Sequence, residues 1–217
     1  LDGSSAASDV YKRQVLDNNK LAKMDLKNEK ETNSALEKIR NSSFNITKIS
    51  TKRVRRNPMP PFTTSTLQQE ASNKLGFGAS RTMRIAQKLY EGINIGSETT
   101  GLITYMRTDG VQLSTQAIDE LRSEITNLHG KEYIPQSPRI YKSKAANAQE
   151  AHEAIRPTAI SRHPESMSSY LDAEQLKLYE LIWRRTISSQ MQSAELDETA
   201  ADISNENKSI VFRANGS

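Results

Sequence analysis

The chain has 217 residues, of which 30 are lysine or arginine and 26 are aspartate or glutamate, so its formal charge is +4. It contains no cysteine, which excludes a disulfide scaffold, a thiol nucleophile and a zinc site built on thiolates. No apolar run approaches the roughly 20 residues that a membrane-spanning helix needs. These features indicate an intracellular, mildly basic protein, whose charge is compatible with a nucleic-acid partner but does not require one.

The first 43 residues are polar. Residues 1–14 are small and have no hydrophobic period, which is typical of a translated adapter or a disordered tail. The apolar positions Ala35, Leu36 and Ile39 then predict one short helix that ends near Asn41.

The segment 44–56 alternates apolar and polar residues, which predicts an extended strand that stops at the prolines from Pro58 onward. This strand is basic and contains no acid. Such a run is either a solvated face or an edge that binds phosphates. The sequence leaves both interpretations open; on the second, the DNA-binding side chains are Arg53, Arg55 and Arg56.

Three amphipathic helices are predicted between 62 and 130. Their N-caps are expected to be Thr64 or Ser65, then Ser80, then Ser114. Before the third helix, residues 101–106 predict a short strand that runs into a polar turn at 107–110. Helices joined by a short glycine-containing turn and followed by strand material suggest a winged-helix-like unit.

The remaining third of the chain alternates in character. Residues 148–155 predict a short helix that stops before Pro157, and Asp172 opens the clearest helix of the sequence. Strands at 199–203 and 209–213 then predict a hairpin.

The predicted fold class is therefore α+β, mainly α, with a helical domain inserted into a β domain whose two parts rejoin. A β domain this small is expected to be incomplete, which indicates a piece of a longer protein. The predicted segments are 1–14, 15–61, 62–195 and 196–217.

Tyr105 is the first candidate for chemistry. A tyrosine is a poor nucleophile at its usual pKa of about 10 and needs nearby positive charge or a base. Arg107 shares the same strand face and offers a two-pronged grip on phosphate oxygens. Asp109 follows at the same spacing of two residues, so it would share that face and could orient Arg107 or a histidine. The alternative is a packed tyrosine beside a surface ion pair.

His152 and Arg156 are four residues apart, on one face of the predicted helix. Two such groups suit a phosphate oxyanion, although His152 could equally be a surface histidine paired with Glu153 or Asp109. A zinc-protease motif would need a second histidine where Arg156 stands. We predict no metal site, because the acids form no cluster, and no ATP use, because no glycine-rich phosphate loop is present.

Four blocks of sequence resemble the bacterial topoisomerase I branch of the type IA DNA topoisomerase family, in the order that this family shows. The blocks are Pro-Phe-Thr-Thr-Ser-Thr-Leu-Gln-Gln-Glu-Ala (61–71), Gln-Lys-Leu-Tyr-Glu-Gly-Ile (87–93), Gly-Leu-Ile-Thr-Tyr-Met-Arg-Thr-Asp (101–109) and Gln-Glu-Ala-His-Glu-Ala-Ile-Arg-Pro-Thr (149–158). The resemblance implies a toroidal enzyme that relaxes negatively supercoiled DNA through a transient single-strand break, without ATP. The helical block would be its catalytic-tyrosine domain, and the flanking strands would belong to its arch.

The resemblance also implies roles for individual residues. Tyr105 matches the nucleophile that forms a 5′-phosphotyrosyl link, Arg107 and His152 match contacts of the scissile phosphate, and Asp109 matches an orienting acid. The DNA-binding residues predicted from the resemblance and from the charge pattern together are Arg107, Arg156, Gln68, Gln69, Arg53, Arg55 and Arg56.

The family's Toprim domain, which holds the acidic Mg²⁺ cluster and a proton-transfer glutamate, has no match in this sequence. We therefore expect Mg²⁺ to bind outside this chain, and the chain alone to be inactive. The expected partners are single-stranded and negatively supercoiled DNA and the rest of the same polypeptide, with no membrane. The parent protein is expected to be a monomeric, nucleoid-associated protein of the bacterial cytoplasm. The alternative function is a non-catalytic winged-helix DNA-binding module.

Overall fold

The computed structural model describes residues 13–22, 25–96, 98–142 and 153–217. The strands are β1 (Arg13–Leu16), β2 (Asn19–Leu21), β3 (Phe44–Arg56), β4 (Ile93–Asn94), β5 (Thr99–Thr100), β6 (Ala194–Asn205) and β7 (Val211–Gly216). The helices are α1 (Glu29–Arg40), α2 (Thr64–Leu75), α3 (Ala79–Glu91), α4 (Thr115–His129), α5 (Pro164–Met167) and α6 (Ala173–Ser189). By their internal contacts, the residues form two units, one comprising the chain up to Arg56 together with 195–217, the other comprising 57–194.

The first unit is built on a sheet with the strand order β2-β1-β7-β6-β3. The strand predicted at 44–56 is confirmed as β3, and the predicted C-terminal hairpin is confirmed as β6 and β7, which pair antiparallel with Ile203 opposite Phe212. Most of β3 is exposed on both faces, including Ile46 and Ile49 at 61% and 65% of their area. The alternation that predicted the strand therefore does not mark a buried face.

A small hairpin at the start of the described chain was not predicted. β1 pairs with β2 across the turn Asp17-Asn18, whose φ angles are 51° and 65°. Asp and Asn tolerate this left-handed conformation better than most residues, which is why they occur in tight hairpin turns. Since β1 begins at Arg13 and also pairs with β7, residues 13 and 14 do not belong to an unstructured tail. Residues 1–12 lie outside the described ranges.

The second unit has a helical core in which α2, α3 and α6 pack on one another. The core residues of this cluster with at most 1% of their area exposed are Phe62, Leu67, Ala71, Ala86, Leu89, Leu102, Ile103, Met106, Ile155, Leu178, Tyr179 and Ile182. A second cluster joins α4 to α6 through Leu121, Ile125, Ile160 and Ile187. Burying this apolar surface supplies the main driving force for folding of the unit. Because Leu102, Ile103 and Met106 belong to the first cluster, the core also fixes the segment that follows Gly101.

Helix caps agree with the sequence in two cases and differ in two. Ser114 and Asp172 cap α4 and α6 as predicted. The cap of α2 is Thr63 rather than Thr64 or Ser65, because the Thr64 hydroxyl is hydrogen-bonded to another segment. The helix α3 follows Gly78, without a side-chain cap, instead of Ser80. None of the helices in the described ranges is long and apolar enough to cross a membrane.

Candidate active site

Tyr105, Arg107 and Asp109 alternate with buried residues along an irregular segment of the chain. All three are exposed, Tyr105 to 45% of its area, whereas the alternate residues Met106 and Thr108 are buried. The predicted regular strand at 101–106 is wrong, because the segment forms only a single bridge, from Ile103 to Pro157. The alternation nevertheless leaves two groups suited to phosphate chemistry, Tyr105 and Arg107, exposed two residues apart in the chain.

The backbone on the C-terminal side of Tyr105 is fixed by Thr64, the first residue of α2. The Thr64 hydroxyl donates to the carbonyl oxygen of Met106 at 2.7 Å and accepts from the amide of Thr108 at 2.9 Å. The backbone amide of Thr64 donates to the Thr108 carbonyl oxygen at 2.9 Å. Three hydrogen bonds with Thr64 therefore hold the backbone on both sides of Arg107, at the carbonyl of Met106 and at the amide and carbonyl of Thr108.

The backbone on the N-terminal side of Tyr105 is fixed by Thr104. Its amide donates to the carbonyl oxygen of Arg156 at 2.9 Å, and its hydroxyl donates to Ala154 and accepts from the Arg156 amide. The segment 153–157 is extended, with bridges from Glu153 to Gln112 and from Ile155 to Phe62. The helix predicted at 148–155 is thus wrong for its described residues, because these backbone groups pair with other segments instead of with each other.

The ring of Tyr105 packs against that of Tyr90 on α3, edge to face, with centroids 5.3 Å apart. Tyr90 is itself 40% exposed. The chain approaches α3 closely at Gly101, where a Cβ atom would lie 2.5 Å from the Tyr90 carbonyl oxygen. Only glycine therefore fits at position 101 without moving the segment away from α3. The next residue adds a hydrogen bond to the same helix, because the Leu102 amide donates to the Leu89 carbonyl oxygen at 2.7 Å.

Arg107 lines an open cleft of about 810 Å³ whose long wall is α3. Its lining residues are Gln68, Ala79, Ser80, Met83, Arg84, Gln87, Lys88, Glu91 and Arg107. Three of these are cationic and one is acidic, and the carboxylate of Glu91 accepts a hydrogen bond from the Gln87 amide. Glu174 lies nearby, where a hydrogen bond from Arg81 lowers the pKa of its carboxyl and the charges of Arg84 and Lys88 lower it further.

His152, predicted to contact the phosphate, lies outside the described residues. The helical face that was expected to bring it beside Arg156 is absent in 153–157, where the backbone is extended. Arg156 itself is bound by Glu153, whose carboxylate accepts from the Arg156 Nε at 2.7 Å, and its side chain is only 17% exposed. Asp109 forms no hydrogen bond or ion pair with the residues that the structure describes, so its orienting role stays a prediction.

The two glutamines of α2 differ in position. Gln68 lines the cleft beside Arg107, and Gln69 is exposed on the helix. The adjacent Glu70 is engaged elsewhere, because it pairs with Lys74 at 2.7 Å and with Arg185 at 3.2 Å. The hydrogen bond from Lys74 lowers the pKa of the Glu70 carboxyl, with a further contribution from Arg185.

The arginines predicted to bind DNA on β3 each face a carboxylate of β6. Arg53 lies 3.3 Å from Asp197, and Arg55 and Arg56 each lie 3.9 Å from a glutamate, Glu195 and Glu198. The sequence shows no acid within β3, but sheet pairing brings three acids opposite it. Their DNA-binding role stays a prediction, since these exposed pairs are weak and can open.

Magnesium has no evident place in the described residues, because none of them form a group of three or more His, Asp or Glu side chains able to hold a metal ion.

Sequence reasoning missed four residues of the site. Thr64 was considered only as a helix cap, and Thr104 was not considered at all. Arg84 and Lys88 lie at positions i and i+4 of α3, and this spacing is the signal that could have found them, since it places both on one helix face.

The comparisons with known proteins agree on one family. A family model described as DNA topoisomerase matches residues 5–217. A protein of Rickettsia bellii named DNA topoisomerase 1 is 54% identical over 202 residues, which is 93% of this chain and 25% of that protein. A Xylella fastidiosa protein of the same name is 52% identical over 174 residues, or 80% of this chain and 21% of that protein.

A solved structure gives the same result at the level of fold. Full-length topoisomerase I from Thermotoga maritima matches with a TM-score of 0.71 and 34% sequence identity, covering 94% of this chain and 33% of that one. The chain thus spans about a quarter of the length of the curated relatives that it matches.

Proposed function

The chain belongs to the DNA topoisomerase family, and from this premise we propose that it is the part of a type IA enzyme that cleaves one DNA strand through Tyr105. The observation that carries the proposal is the joint exposure of Tyr105 and Arg107 on a segment pinned at both ends by Thr104 and Thr64. A nucleophile and a charged phosphate ligand that are held in this way lose little freedom when the substrate binds.

The proposed step is a transesterification. The phenol oxygen of Tyr105 forms a bond to phosphorus as the bond from phosphorus to the 3′ oxygen breaks, which leaves a 5′-phosphotyrosyl ester and a free 3′ end. The phenol of exposed Tyr105 gives its proton to solvent water, and the leaving 3′ oxygen gains one from a group outside the described residues. Since one phosphate ester replaces another, the reverse reaction reseals the strand without ATP.

Arg107 is proposed to bind the non-bridging oxygens of the scissile phosphate. Its guanidinium is permanently charged and matches the geometry of phosphate oxygens. His152 is proposed as a second contact of the same phosphate and Asp109 as an orienting group.

Relaxation of supercoiled DNA is proposed for the longer enzyme and not for this chain alone. The resemblance places the proton-transfer glutamate and the Mg²⁺ cluster in a Toprim domain, and strand passage needs a ring that encloses DNA. We expect no Mg²⁺-dependent relaxation by the purified chain. Relaxation by the chain alone would contradict this division of labour.

The deciding experiment is Tyr105→Phe in the longer enzyme. This change removes one hydroxyl and little packing, so we expect unchanged DNA binding and complete loss of the covalent complex. The measurement is retention of a labelled single-stranded oligonucleotide on the protein under denaturing conditions. A non-catalytic winged-helix module would release the oligonucleotide whether or not Tyr105 is substituted, and a covalent complex formed by the Phe variant would exclude Tyr105 as the nucleophile.

A further inference from the structure

The cleft beside Arg107 contains two cations that the proposed cleavage step does not use. Arg84 and Lys88 lie four residues apart on α3, about 6 Å along the helix axis, since each residue rises ~1.5 Å. Both are exposed and line the same wall as Ser80 and Gln87. Neither forms an ion pair within the described ranges. Their charges do help to lower the pKa of the Glu174 carboxyl, but the ion pair of Glu174 is with Arg81 on the same helix.

We propose that the wall of α3 is a binding site for the backbone of single-stranded DNA, with Arg84 and Lys88 each contacting a phosphate next to the one held by Arg107. The inference rests on the proposed function, because Arg107 defines where the scissile phosphate lies. It adds to that function a path for the neighbouring nucleotides.

The chemistry of the wall favours a phosphate backbone over other anionic partners. Cations spaced by one helical turn match a ligand with repeated single charges, and the hydroxyl of Ser80, one turn before Arg84, offers a further donor in the same cleft. The cleft is open, so a chain can pass through it. None of the described residues that line it is aromatic, which predicts recognition of the backbone with little preference for base sequence.

The acid in the cleft supports a direction for this path. Glu91 lies at the end of α3 next to Tyr90, whose ring contacts Tyr105. Its carboxylate is bound by Gln87. Arg84 lies about two turns before it. Glu174, another acid near Arg84 and Lys88, is already bound by Arg81. We therefore expect the strand to follow α3 away from Glu91, towards the N-terminal end of the helix.

The test uses the 217-residue chain and a fluorescent single-stranded oligonucleotide, with affinity measured by anisotropy between about 50 and 200 mM salt. The variant is the double substitution R84Q/K88Q. The control is K131Q/K177Q, which removes the same two charges from exposed positions outside the cleft.

Each phosphate contact to a single strand contributes about 0.7 to the slope of log affinity against log salt, so R84Q/K88Q should reduce the slope by about 1.4. The unsubstituted chain should then lose about sevenfold more affinity than this variant over that salt range. The control should keep the slope of the unsubstituted chain, and purine-rich and pyrimidine-rich oligonucleotides should respond alike.

Three results would overturn the proposal. They are an unchanged slope in R84Q/K88Q, an equal loss in K131Q/K177Q, and no binding by the unsubstituted chain at low salt. The charge-preserving variant R84K/K88R guards against misfolding, since it should bind like the unsubstituted chain if charge is what matters. Loss of the covalent complex in Tyr105→Phe is measured separately, so failure of the α3 site leaves the nucleophile assignment standing, and the reverse also holds.

Discussion

Two groups of basic side chains, one in each unit of the chain, carry similar charge but face different surroundings. The arginines of β3 each lie within 3.3 to 3.9 Å of a carboxylate on β6. Arg84, Lys88 and Arg107 line a cleft and form no ion pair with any residue in the described ranges. A cation that already has an acid partner must release it before it binds phosphate. We therefore expect the cations without an ion-pair partner to contribute more to DNA binding than the arginines of β3.

The sharpest way to break this comparison is Arg107→Ala in the longer enzyme. Removing one group that stabilises developing oxyanion charge lowers a rate by roughly 10²–10³, and we expect single-turnover cleavage of an oligonucleotide to fall by that factor. Arg107→Lys keeps the charge but loses the two-pronged guanidinium, so its cleavage rate should lie between those of the unsubstituted enzyme and Arg107→Ala. Cleavage by Arg107→Ala at the unsubstituted rate would leave Arg107 only a surface role.

The next effect concerns how the unpaired cation is held. Thr64→Val keeps the shape of the side chain but leaves the buried Thr108 amide without its acceptor, which costs about 1–3 kcal/mol. Since a small displacement of a reacting group can cost up to about 10²-fold in rate, we expect cleavage to fall between about tenfold and 10²-fold, with DNA affinity unchanged. Thr64→Ser, which retains the hydroxyl, should restore the rate.

The matched control for Thr64 is Thr186→Val. Thr186 is buried in α6, and its hydroxyl donates to the Ile182 carbonyl oxygen at 2.8 Å, away from the Tyr105 segment. Both variants should lower the melting temperature of the chain, but only Thr64→Val should slow cleavage. Equal slowing by both would mean that Thr64 contributes stability alone.

The parts of the fold that the sequence predicted well depend on local patterns. The strand at 44–56, the caps Ser114 and Asp172 and the exposure of Tyr105 with Arg107 all follow from spacing within a few residues. The family resemblance added the assignment of Tyr105 as the nucleophile, which spacing alone left open and which stays a prediction.

The parts that the sequence did not predict depend on distant partners. The segment 153–157 contains good helix formers, yet its backbone is extended because Phe62, Ile103 and Gln112 pair with it. Thr64 was interpreted as a cap because its contact with Met106 spans 42 residues of sequence. The acids opposite β3 were likewise invisible, since they lie about 140 residues away along the chain and are brought opposite it only by the sheet.

The smallest expected effect is on β3, and it tests the comparison from the other side. Arg53 and Asp197 are exposed to 70% and 58% of their side-chain area, and such pairs are worth about 0–1 kcal/mol. We expect the double substitution R53Q/R55Q to lower the affinity of the chain for single-stranded DNA by less than about twofold, well below the change in R84Q/K88Q. The reason is that each arginine gains a phosphate only by giving up a carboxylate, so the net gain is small.

The complementary substitution D197N/E195Q removes the competing acids, and it should raise affinity while steepening its salt dependence, because it frees two cations for phosphate contacts. If R53Q/R55Q instead weakened binding as much as R84Q/K88Q, the paired arginines of β3 would be true phosphate ligands, and ion pairing in the free chain would not distinguish the two surfaces.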